Sequence, residues 1–334
     1  MLRNSRWLAA AGALTAAAIA ATPALAQTGA AWFNGKTVTY IVATQPGGGY
    51  DAYGRLVAEF MPRYLPGSTF VVRNMPGAGH MIGTNAIYAS KPDGLTIGTF
   101  NTGLIYNQLI KHKGVRFDLE KMSWIGKAAN DARAIAIAVQ SPIKTYADLA
   151  NSKQVVNFAA AGIGSAAYVE TVMLTAALKW PVKVLTGYNG SEDQLAMRRG
   201  EIVGSISARS TWDPVVKNGY ARYIAQIGGD ETDVPQLSTM VTDPAAKALI
   251  ALIQTQCDVA RLTAGPPGIP PDRLDALRAA FRKAMEDKEL LAKTEKLGLP
   301  IQPAYGDTVL AMVKEALAQS PETIALLAES RKKK

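Results

Sequence analysis

The sequence predicts an α/β protein of two lobes, in which each lobe is a mostly parallel sheet flanked by helices. Short runs rich in β-branched residues alternate with helical patterns along the chain. A strand, a glycine-rich loop and a helix follow one another early in the chain and again midway along it. Because ligands bind outside the carboxyl ends of the strands in such sheets, we expect these loops to lie at a binding site.

The first 26 residues are typical of a cleaved signal peptide. Arg3 and Arg6 precede an apolar, alanine-rich run over 7–21, and the tripeptide 24–26 has the small-x-small pattern of a signal peptidase site. A membrane anchor is the alternative, but the run is short for one. Cleavage after Ala26 would leave 334 − 26 = 308 residues outside the cytoplasm, enough for two domains with cores of their own.

The charge of the chain does not indicate nucleic acid as a partner. The 36 lysines and arginines exceed the 27 acidic residues, which gives a formal net charge of +9, or 9 − 2 = +7 without Arg3 and Arg6. Four positive charges lie in the tail 331–334, and no basic stripe is interleaved with aromatic residues. Cys257 is the only cysteine, so it cannot form an internal disulfide, and we expect a buried thiol.

The first unit of the first lobe spans 38–60. A β-branched strand over 38–42 gives way to Pro46 and three glycines, and apolar residues then recur at helical spacing up to Phe60. A glycine loop before a helix lets backbone N–H groups approach an anion. It is also compatible with a simple tight turn in which Asp51 only caps the helix, so both interpretations stay open.

The remaining elements continue the alternation through both lobes. Residues 124–139 run extended and are interpreted as the crossover into the second lobe, and 256–263 as the strand that returns. The lobes are therefore predicted as 34–129 plus 256–334, and 130–255. Helices over 271–298 and 307–329 are expected to pack on the first lobe. The other predicted strands are 69–73, 95–100, 155–158, 182–185, 202–206 and 223–227, and the other predicted helices are 81–90 and those after Ser165, Ser191 and Trp212.

A second glycine loop in the second lobe repeats the chemistry of the first. The segment 158–168 is again a strand, a glycine loop and a helix start, with Ser165 able to cap the helix or to reach an anion. Two helix N-termini that face each other across a cleft would form a carboxylate site without a charged side chain.

Six short motifs in order resemble those of a known family. They are PGGG-x-D at 46–51, N-x-PGAG at 74–79, KPDG at 91–94, G-x-GS at 162–165, Y-x-G at 188–190 and PPGIPP at 266–271. Together they cover essentially the whole mature chain. They resemble the periplasmic substrate-binding proteins of tripartite tricarboxylate transporters, the Bug or TctC type.

The resemblance implies a type II, flytrap-like periplasmic binding protein. Separately, we expect a monomer that needs no cofactor. Such a receptor captures a small organic carboxylate, which is a di- or tricarboxylate or an aromatic acid, and presents it to a membrane permease. In that family the carboxylate is held largely by backbone N–H groups and ordered waters of the two glycine loops. Carried over to this chain, the implied ligand-binding residues are Gly47, Gly48, Gly49 and Asp51 with Gly162, Ile163, Gly164 and Ser165.

Departures from the family pattern bear on the choice of ligand. His80 and Tyr168 stand where the family usually has a glycine and a histidine, and each is either a ligand contact or a packing residue. Arg209 follows a predicted strand and would suit the far carboxylate of a diacid, or is only a surface arginine. Further candidates for the lining of the cleft are Thr44, Tyr50, Thr102 and Tyr188.

Two other functions remain as alternatives. An exported hydrolase is disfavoured because the G-x-S-x-G spacing is absent and the two histidines are too few for a recognisable zinc site. The second alternative is a ligand-sensing partner of a membrane sensor kinase, which would use the same cleft. We therefore expect a binding protein that is not an enzyme and holds no metal.

Overall fold

The computed structural model describes residues 29–330. The predicted signal peptide with its cleavage after Ala26 and the basic tail 331–334 lie outside the described residues. Within the described range, no helix combines the length and the apolar character needed to cross a membrane.

The described chain forms two separate sheets. In chain order the strands are β1 (Thr37–Val42), β2 (Thr69–Asn74), β3 (Thr96–Thr99), β4 (Ser123–Lys127), β5 (Arg133–Ala138), β6 (Val156–Ala160), β7 (Val182–Thr186), β8 (Gly204–Ala208), β9 (Ala221–Ile227), β10 (Leu262–Gly265) and β11 (Ala304–Tyr305). The first sheet has the order β11-β4-β10-β3-β1-β2, and the second has the order β7-β6-β8-β5-β9.

The two-lobed α/β fold is confirmed, and both sheets are mixed where mostly parallel ones were predicted. β1 runs parallel to β2 and β3, and β6 runs parallel to β7 and β8. The strands that enter a lobe from the other one run the opposite way. Thus β10 is antiparallel to β3 and β4, and β5 is antiparallel to β8 and β9.

Helices cover the faces of both sheets. In chain order they are α1 (Gly49–Phe60), α2 (Met81–Tyr88), α3 (Leu104–Leu109), α4 (Tyr146–Ala150), α5 (Ala166–Leu178), α6 (Glu192–Arg198), α7 (Arg209–Lys217), α8 (Leu237–Met240), α9 (Pro244–Asp258), α10 (Pro271–Met285), α11 (Lys288–Leu297), α12 (Gly306–Leu317) and α13 (Pro321–Ser330).

Two of the predicted elements are wrong. The return strand was expected over 256–263, but α9 continues to Asp258 and β10 begins only at Leu262. Ile253 and Cys257 lie one helical turn apart and are both buried, so the apolar run that resembled a strand is the inner face of a helix. Similarly, α7 begins at Arg209 and not after Trp212, whose fully buried indole lies inside that helix.

The C-terminal helices divide between the lobes. α10 packs on β4 and closes the first core, where Phe281 is fully buried. The last helix, α13, packs on α5 and α9 and buries Leu327 in the second core. The expectation that the whole C-terminal region returns to the first lobe is therefore wrong for α13. The exact limits of the two lobes stay a prediction.

The two crossing segments lie side by side. The amide of Ala128, after β4, donates to the carbonyl of Arg261 at 3.1 Å, and the amide of Asp131 donates to the carbonyl of Cys257 at 3.0 Å. Cys257 is buried as predicted, and burial raises the pKa of its thiol to about 12. The lobes are thus connected by two backbone segments that are hydrogen-bonded to each other. These segments border the floor of the cleft.

Candidate functional site

A cavity of about 100 Å³ lies between the lobes and is lined by both. Its walls carry amide, hydroxyl and guanidinium groups beside small apolar side chains. Its lining comprises Thr44, Gln45, Gly48, Gly49, Tyr50, His80, Asn101, Arg133, Ala160, Ala161, Ser165, Ala166, Ala167, Tyr188, Asn189, Gly190, Asp193, Ser207, Ala208, Thr211 and Arg261.

The N-terminus of α1 forms the first-lobe wall. Gly48 is the N-cap residue, and the N–H groups of the first helical turn have no acceptor inside the helix. A side chain on Gly49 would collide with Arg261, since an added Cβ would lie 2.8 Å from its Nη2 atom. A Cβ on Gly48 would lie 3.3 Å from Cα of Gly190, which belongs to the second lobe. The glycines therefore allow close approach of an arginine and of the opposite lobe.

Arg261 is a buried cation at this helix terminus. Its side chain is only 1% exposed and lies over the ring of Tyr50, 4.5 Å from the centroid. One guanidinium nitrogen donates to a carboxylate oxygen of Asp131 and, at 2.8 Å, to the hydroxyl of Ser210, whereas Nε has no partner among the described residues. Burial lowers the pKa of Arg261, but Asp131 together with Tyr50 and Tyr53 raises the pKa above its ordinary value, so the group stays charged.

Arg133 is the second buried cation of the cavity. As the first residue of β5 it donates through Nε to both carboxylate oxygens of Glu170, at 3.1 and 2.9 Å, and through Nη2 to Thr102 Oγ1 at 3.2 Å. Glu170 projects from α5 and is fully buried. Burial lowers the pKa of Arg133, and the neighbouring carboxylate raises it well above the ordinary value. Both arginines therefore stay cationic, each with one carboxylate partner.

The second-lobe wall begins with the N-terminus of α5. Ser165 caps this helix, since its hydroxyl accepts from the amide of Tyr168 at 3.3 Å and donates to the carbonyl of Gly162 at 2.8 Å. The next amide, of Ala166, donates to Oδ1 of Asn101 in the first lobe at 3.0 Å. This helix terminus is therefore partly satisfied by protein groups already.

Besides the two arginines, two further titratable side chains of the cavity have shifted pKa values. Burial lowers the pKa of His80 to about 4, and its Nδ1 donates to the carbonyl of Ala43 at 3.1 Å, so the ring is neutral at pH 7. Burial, with a smaller contribution from Glu192, raises the pKa of Asp193 to about 7. Neither residue supplies a positive charge to the cavity at neutral pH.

About half of the residues that the sequence singled out line the cavity. The structure brings together Thr44, Gly48, Gly49, Tyr50, His80, Ser165 and Tyr188. It places the others outside this cavity. Those outside are Gly47, Asp51, Thr102, Gly162, Ile163, Gly164, Tyr168 and Arg209.

The first-lobe residues outside the cavity hold its wall in place. Asp51 is 4% exposed and accepts hydrogen bonds from Arg55, Asn74 and the amide of Gly47. Although burial raises the pKa of Asp51, these donors lower it below the ordinary value. Thr102 is fully buried, and its amide donates to the hydroxyl of Tyr50 at 3.3 Å. These residues orient the loop and do not face the cavity.

The second glycine loop contacts protein where a ligand was expected. A Cβ on Gly79 of the first lobe would collide with the carbonyl of Ile163, and the carbonyl of Gly164 accepts from Nδ2 of Asn107 at 3.0 Å. Tyr168 packs against the second core. The loop 162–164 is therefore a contact between lobes, because the first lobe reaches it at the edge of the cleft.

Arg209 does not occupy the position assigned to it from the sequence. Its guanidinium forms two parallel hydrogen bonds with Asp233, at 2.9 and 2.8 Å, and another with Gln226 at 2.7 Å. The side chain lies outside the cavity, so the interpretation as a ligand for a distal carboxylate is replaced by a structural role. The arginines that do line the cavity are Arg133 and Arg261.

Sequence reasoning did not select these two arginines or Asp193. Arg133 opens an otherwise apolar strand, and Arg261 immediately precedes β10. A charged residue at the end of a buried strand is a signal that could have identified both, since burial of a guanidinium requires partners. Asp193 had no such signal, because it follows Glu192 in what resembles an ordinary acidic first turn.

Two α/β lobes joined by paired crossing segments, with a polar cavity between them, define a two-lobed solute-binding protein. Solved structures share this fold. One is described as periplasmic binding protein BugD, with a TM-score of 0.73, 21% identity and coverage of 89% of this chain and 98% of that one. Another is MatC from Rhodopseudomonas palustris with bound malate, with a TM-score of 0.72, 19% identity and coverage of 87% and 99%.

The family follows from the sequence itself. The model of the tripartite tricarboxylate transporter family receptor matches residues 54–325, so the chain belongs to this family of receptors. A curated relative from Cupriavidus necator, the UPF0065 protein in the gbd 5'region, is 27% identical over 297 residues and covers 85% of both chains. The UPF0065 protein in the tcbD-tcbE intergenic region of Pseudomonas sp. strain P51 is 24% identical over 278 residues, which covers 80% of this chain and 79% of that one.

Proposed function

We propose that this protein captures a small organic carboxylate between its lobes in the periplasm and delivers it to the permease of a tripartite tricarboxylate transporter. The observation that carries the proposal is the first-lobe wall, where Arg261 lies against Gly49 at the N-terminus of α1. A helix N-terminus and a guanidinium both favour an anion, and Arg133 adds a second cation to the same cavity.

The family supports both the ligand class and the partner. Membership among these receptors points to a transporter as the recipient of the ligand. The solved structure of MatC holds malate, and that of Rpa4515 from R. palustris, which has a TM-score of 0.71 and 16% identity, is described with adipate. Both are carboxylates. The signal-like residues 1–26 support export, after which the receptor would meet its permease at the membrane.

The proposed cycle is binding followed by closure. The carboxylate first settles on the amides of Gly49 and Tyr50 and on Arg261, since these lie on one wall. The second lobe, carrying Tyr188 and Gly190, then closes over it by bending at the paired crossing segments. The closed surface is what the permease reads. No covalent step is required, because Ser165 is bonded as a helix cap and the Nδ1 of His80 is bonded to Ala43, so they do not form a nucleophile and base pair.

A thermal-shift screen of the chain from Gln27 tests the binding step. Mono-, di- and tricarboxylates are compared with sugars and amines, and a ligand at 100 times its Kd should stabilise the fold by about 2.7 kcal/mol. Uptake of the best ligand is then compared in cells with and without this receptor. The proposal fails if no carboxylate stabilises the protein, or if uptake is unchanged by removing it.

Matched arginine variants test the site itself. Arg261→Lys keeps a positive charge beside Asp131 but loses the planar fork, so carboxylate affinity should fall about tenfold, the loss expected for one hydrogen bond to a charged group. Arg209→Lys is the control, because that side chain is also bonded to a carboxylate but lies outside the cavity. Equal losses in both variants would remove Arg261 from the binding site.

A further inference from the structure

Asp193 is the only carboxylate that lines the cavity among the described residues. Its Oδ1 accepts from the amide of Gln194 at 2.8 Å, and the described part of the chain offers it no cation as a partner. The two other carboxylates next to the cavity differ in this respect. Glu170 is paired with Arg133 and Asp131 with Arg261, so their charges are already balanced.

The negative charge of Asp193 is therefore the one around the cavity that no positive charge of the described residues balances. The two arginines and their partner carboxylates sum to zero, and His80 is neutral at pH 7. A plain dicarboxylate would bring two negative charges to a cavity that has no net positive charge. An acid that also carries an ammonium group would instead place its carboxylate on the wall of Arg261 and its cation on Asp193.

We infer that Asp193 selects ligands in which a carboxylate is accompanied by an ammonium group, with a hydroxyl group as the weaker substitute. This inference rests on the proposed function and names the substrate class of the same site. The two walls suit such a molecule, because Gly49 and Arg261 belong to one side of the cleft and Asp193, at the start of α6, belongs to the other. A ligand with both groups would bridge the lobes and favour their closure.

The protonation of Asp193 supports the same assignment. Its pKa of about 7 is caused by burial and by Glu192 on its own helix, without a cation to lower it. The other titratable groups that share the cavity are Arg133 and Arg261, which stay charged, His80, which stays neutral, and the hydroxyls of Tyr50 and Tyr188. An ammonium ligand would lower the pKa of Asp193, so binding at pH 7 should release part of a proton.

Calorimetry with two matched ligand series tests the inference. Propionate, lactate and alanine differ only in the substituent on the second carbon, as do succinate, malate and aspartate. In the wild type, the amino member of at least one series should bind about tenfold or more tighter than the unsubstituted acid, with the hydroxy member between them. Asp193→Asn should reduce this preference to about threefold or less, mainly by weakening the amino member.

The control is Asp213→Asn, because Asp213 is a partly buried carboxylate of the second lobe that lies outside the cavity. It should retain the preference of the wild type. Titration in buffers of different ionisation enthalpy gives a second readout, with proton release for the amino member in the wild type and none in Asp193→Asn. A structural role of Asp193 would not produce that difference.

The outcomes separate the two proposals. If the wild type binds acids of both series without regard to the substituent, or if Asp193→Asn keeps the preference, the role of Asp193 is overturned and the carboxylate receptor stands. If no acid of either series and no other carboxylate binds, the proposed function fails and the role of Asp193 fails with it.

Discussion

At the scale of single residues, Gly49 is where the cavity depends most on the absence of a side chain. An alanine methyl group there would lie 2.8 Å from Arg261 Nη2 and 3.0 Å from Thr211 Oγ1. We expect Gly49→Ala to displace the guanidinium and to weaken carboxylate binding about tenfold, as for the loss of one hydrogen bond to a charged group. Isothermal titration of the purified variant measures this.

The matched control for Gly49→Ala is Gly162→Ala. The nearest atom to an added Cβ at Gly162 lies 3.9 Å away, and this glycine lies outside the cavity. Binding by Gly162→Ala should equal that of the wild type. From the sequence, both glycine loops were expected to bind the carboxylate. Weaker binding by Gly162→Ala, with unchanged binding by Gly49→Ala, would contradict the placement of Gly49 in the cavity and of Gly162 outside it.

His80 makes stability depend on pH in a defined direction. Because its pKa is about 4 when folded and 6.5 when unfolded, the unfolded chain binds more protons between these values. The contribution of neutral His80 to the free energy of unfolding is therefore fully present above pH 6.5. It is lost as the pH falls towards 4, and the loss amounts to up to about 3 kcal/mol. Asparagine tolerates the left-handed backbone at position 80, so His80→Asn should fold. Between pH 7 and pH 5, its free energy of unfolding, measured with urea, should decrease less than that of the wild type.

His112→Asn is the control for the pH prediction. This second histidine is partly exposed and accepts a hydrogen bond from the amide of Gly114. The slope of stability against pH is compared between the two variants, because His112→Asn keeps the buried histidine His80. A slope for His80→Asn equal to that of the wild type would show that burial of His80 does not shift its titration.

Residues of the site could be predicted from the sequence where they lie next to one another along the chain. Gly48, Gly49 and Tyr50 lie within one loop, and their exposure to a ligand follows from a strand that ends in glycine before a helix. Arg133 and Arg261 come from opposite crossing segments, and only the folded chain brings them to the same cavity. Arg209 was selected because it ends a strand, but the sequence does not show that Asp233 lies beside it.

At the scale of elements, α5 depends on its cap. Ser165 accepts from the amide of Tyr168, so Ser165→Ala should lower the free energy of unfolding by about 1 kcal/mol. Ser165→Asn should restore most of it, because asparagine is an equally good N-cap residue. Chemical denaturation without ligand separates this effect from binding. If Ser165→Ala unfolds at the same urea concentration as the wild type, the cap does not stabilise the helix.

Elements were predicted well where a pattern has one interpretation. β1 and α1 are separated by proline and glycine and differ in period, so the change from strand to helix is evident from the sequence. The stretch 256–263 has no such break. Its apolar residues fit a strand and the inner face of a helix equally, and the choice is made by the packing of α9 on α5.

At the scale of the whole molecule, two glycine-containing loops bring the backbones of the two lobes close together. Gly190 of the second lobe lies against the first glycine loop, where an added Cβ would meet the carbonyl of Pro46 at 2.6 Å. This contact was not predictable, because nothing in the motifs at 46–51 and 188–190 indicates that their backbones meet in the folded chain. The closure proposed above would therefore require a glycine at position 190.

Gly190→Ala should therefore impair closure more than it impairs folding. Its backbone φ of +62° makes any side chain strained, so its effect is compared with that of Gly200→Ala, which has a φ of +77° and no atom within 4 Å of an added Cβ. Both variants should lose a similar stability, of about 1 kcal/mol. Only Gly190→Ala should weaken ligand binding, because its methyl group keeps the lobes apart at Pro46.

Small-angle scattering should then show a smaller decrease in radius of gyration on adding ligand to Gly190→Ala than to Gly200→Ala. Equal decreases, together with equal affinities, would mean that the contact at Gly190 does not limit closure.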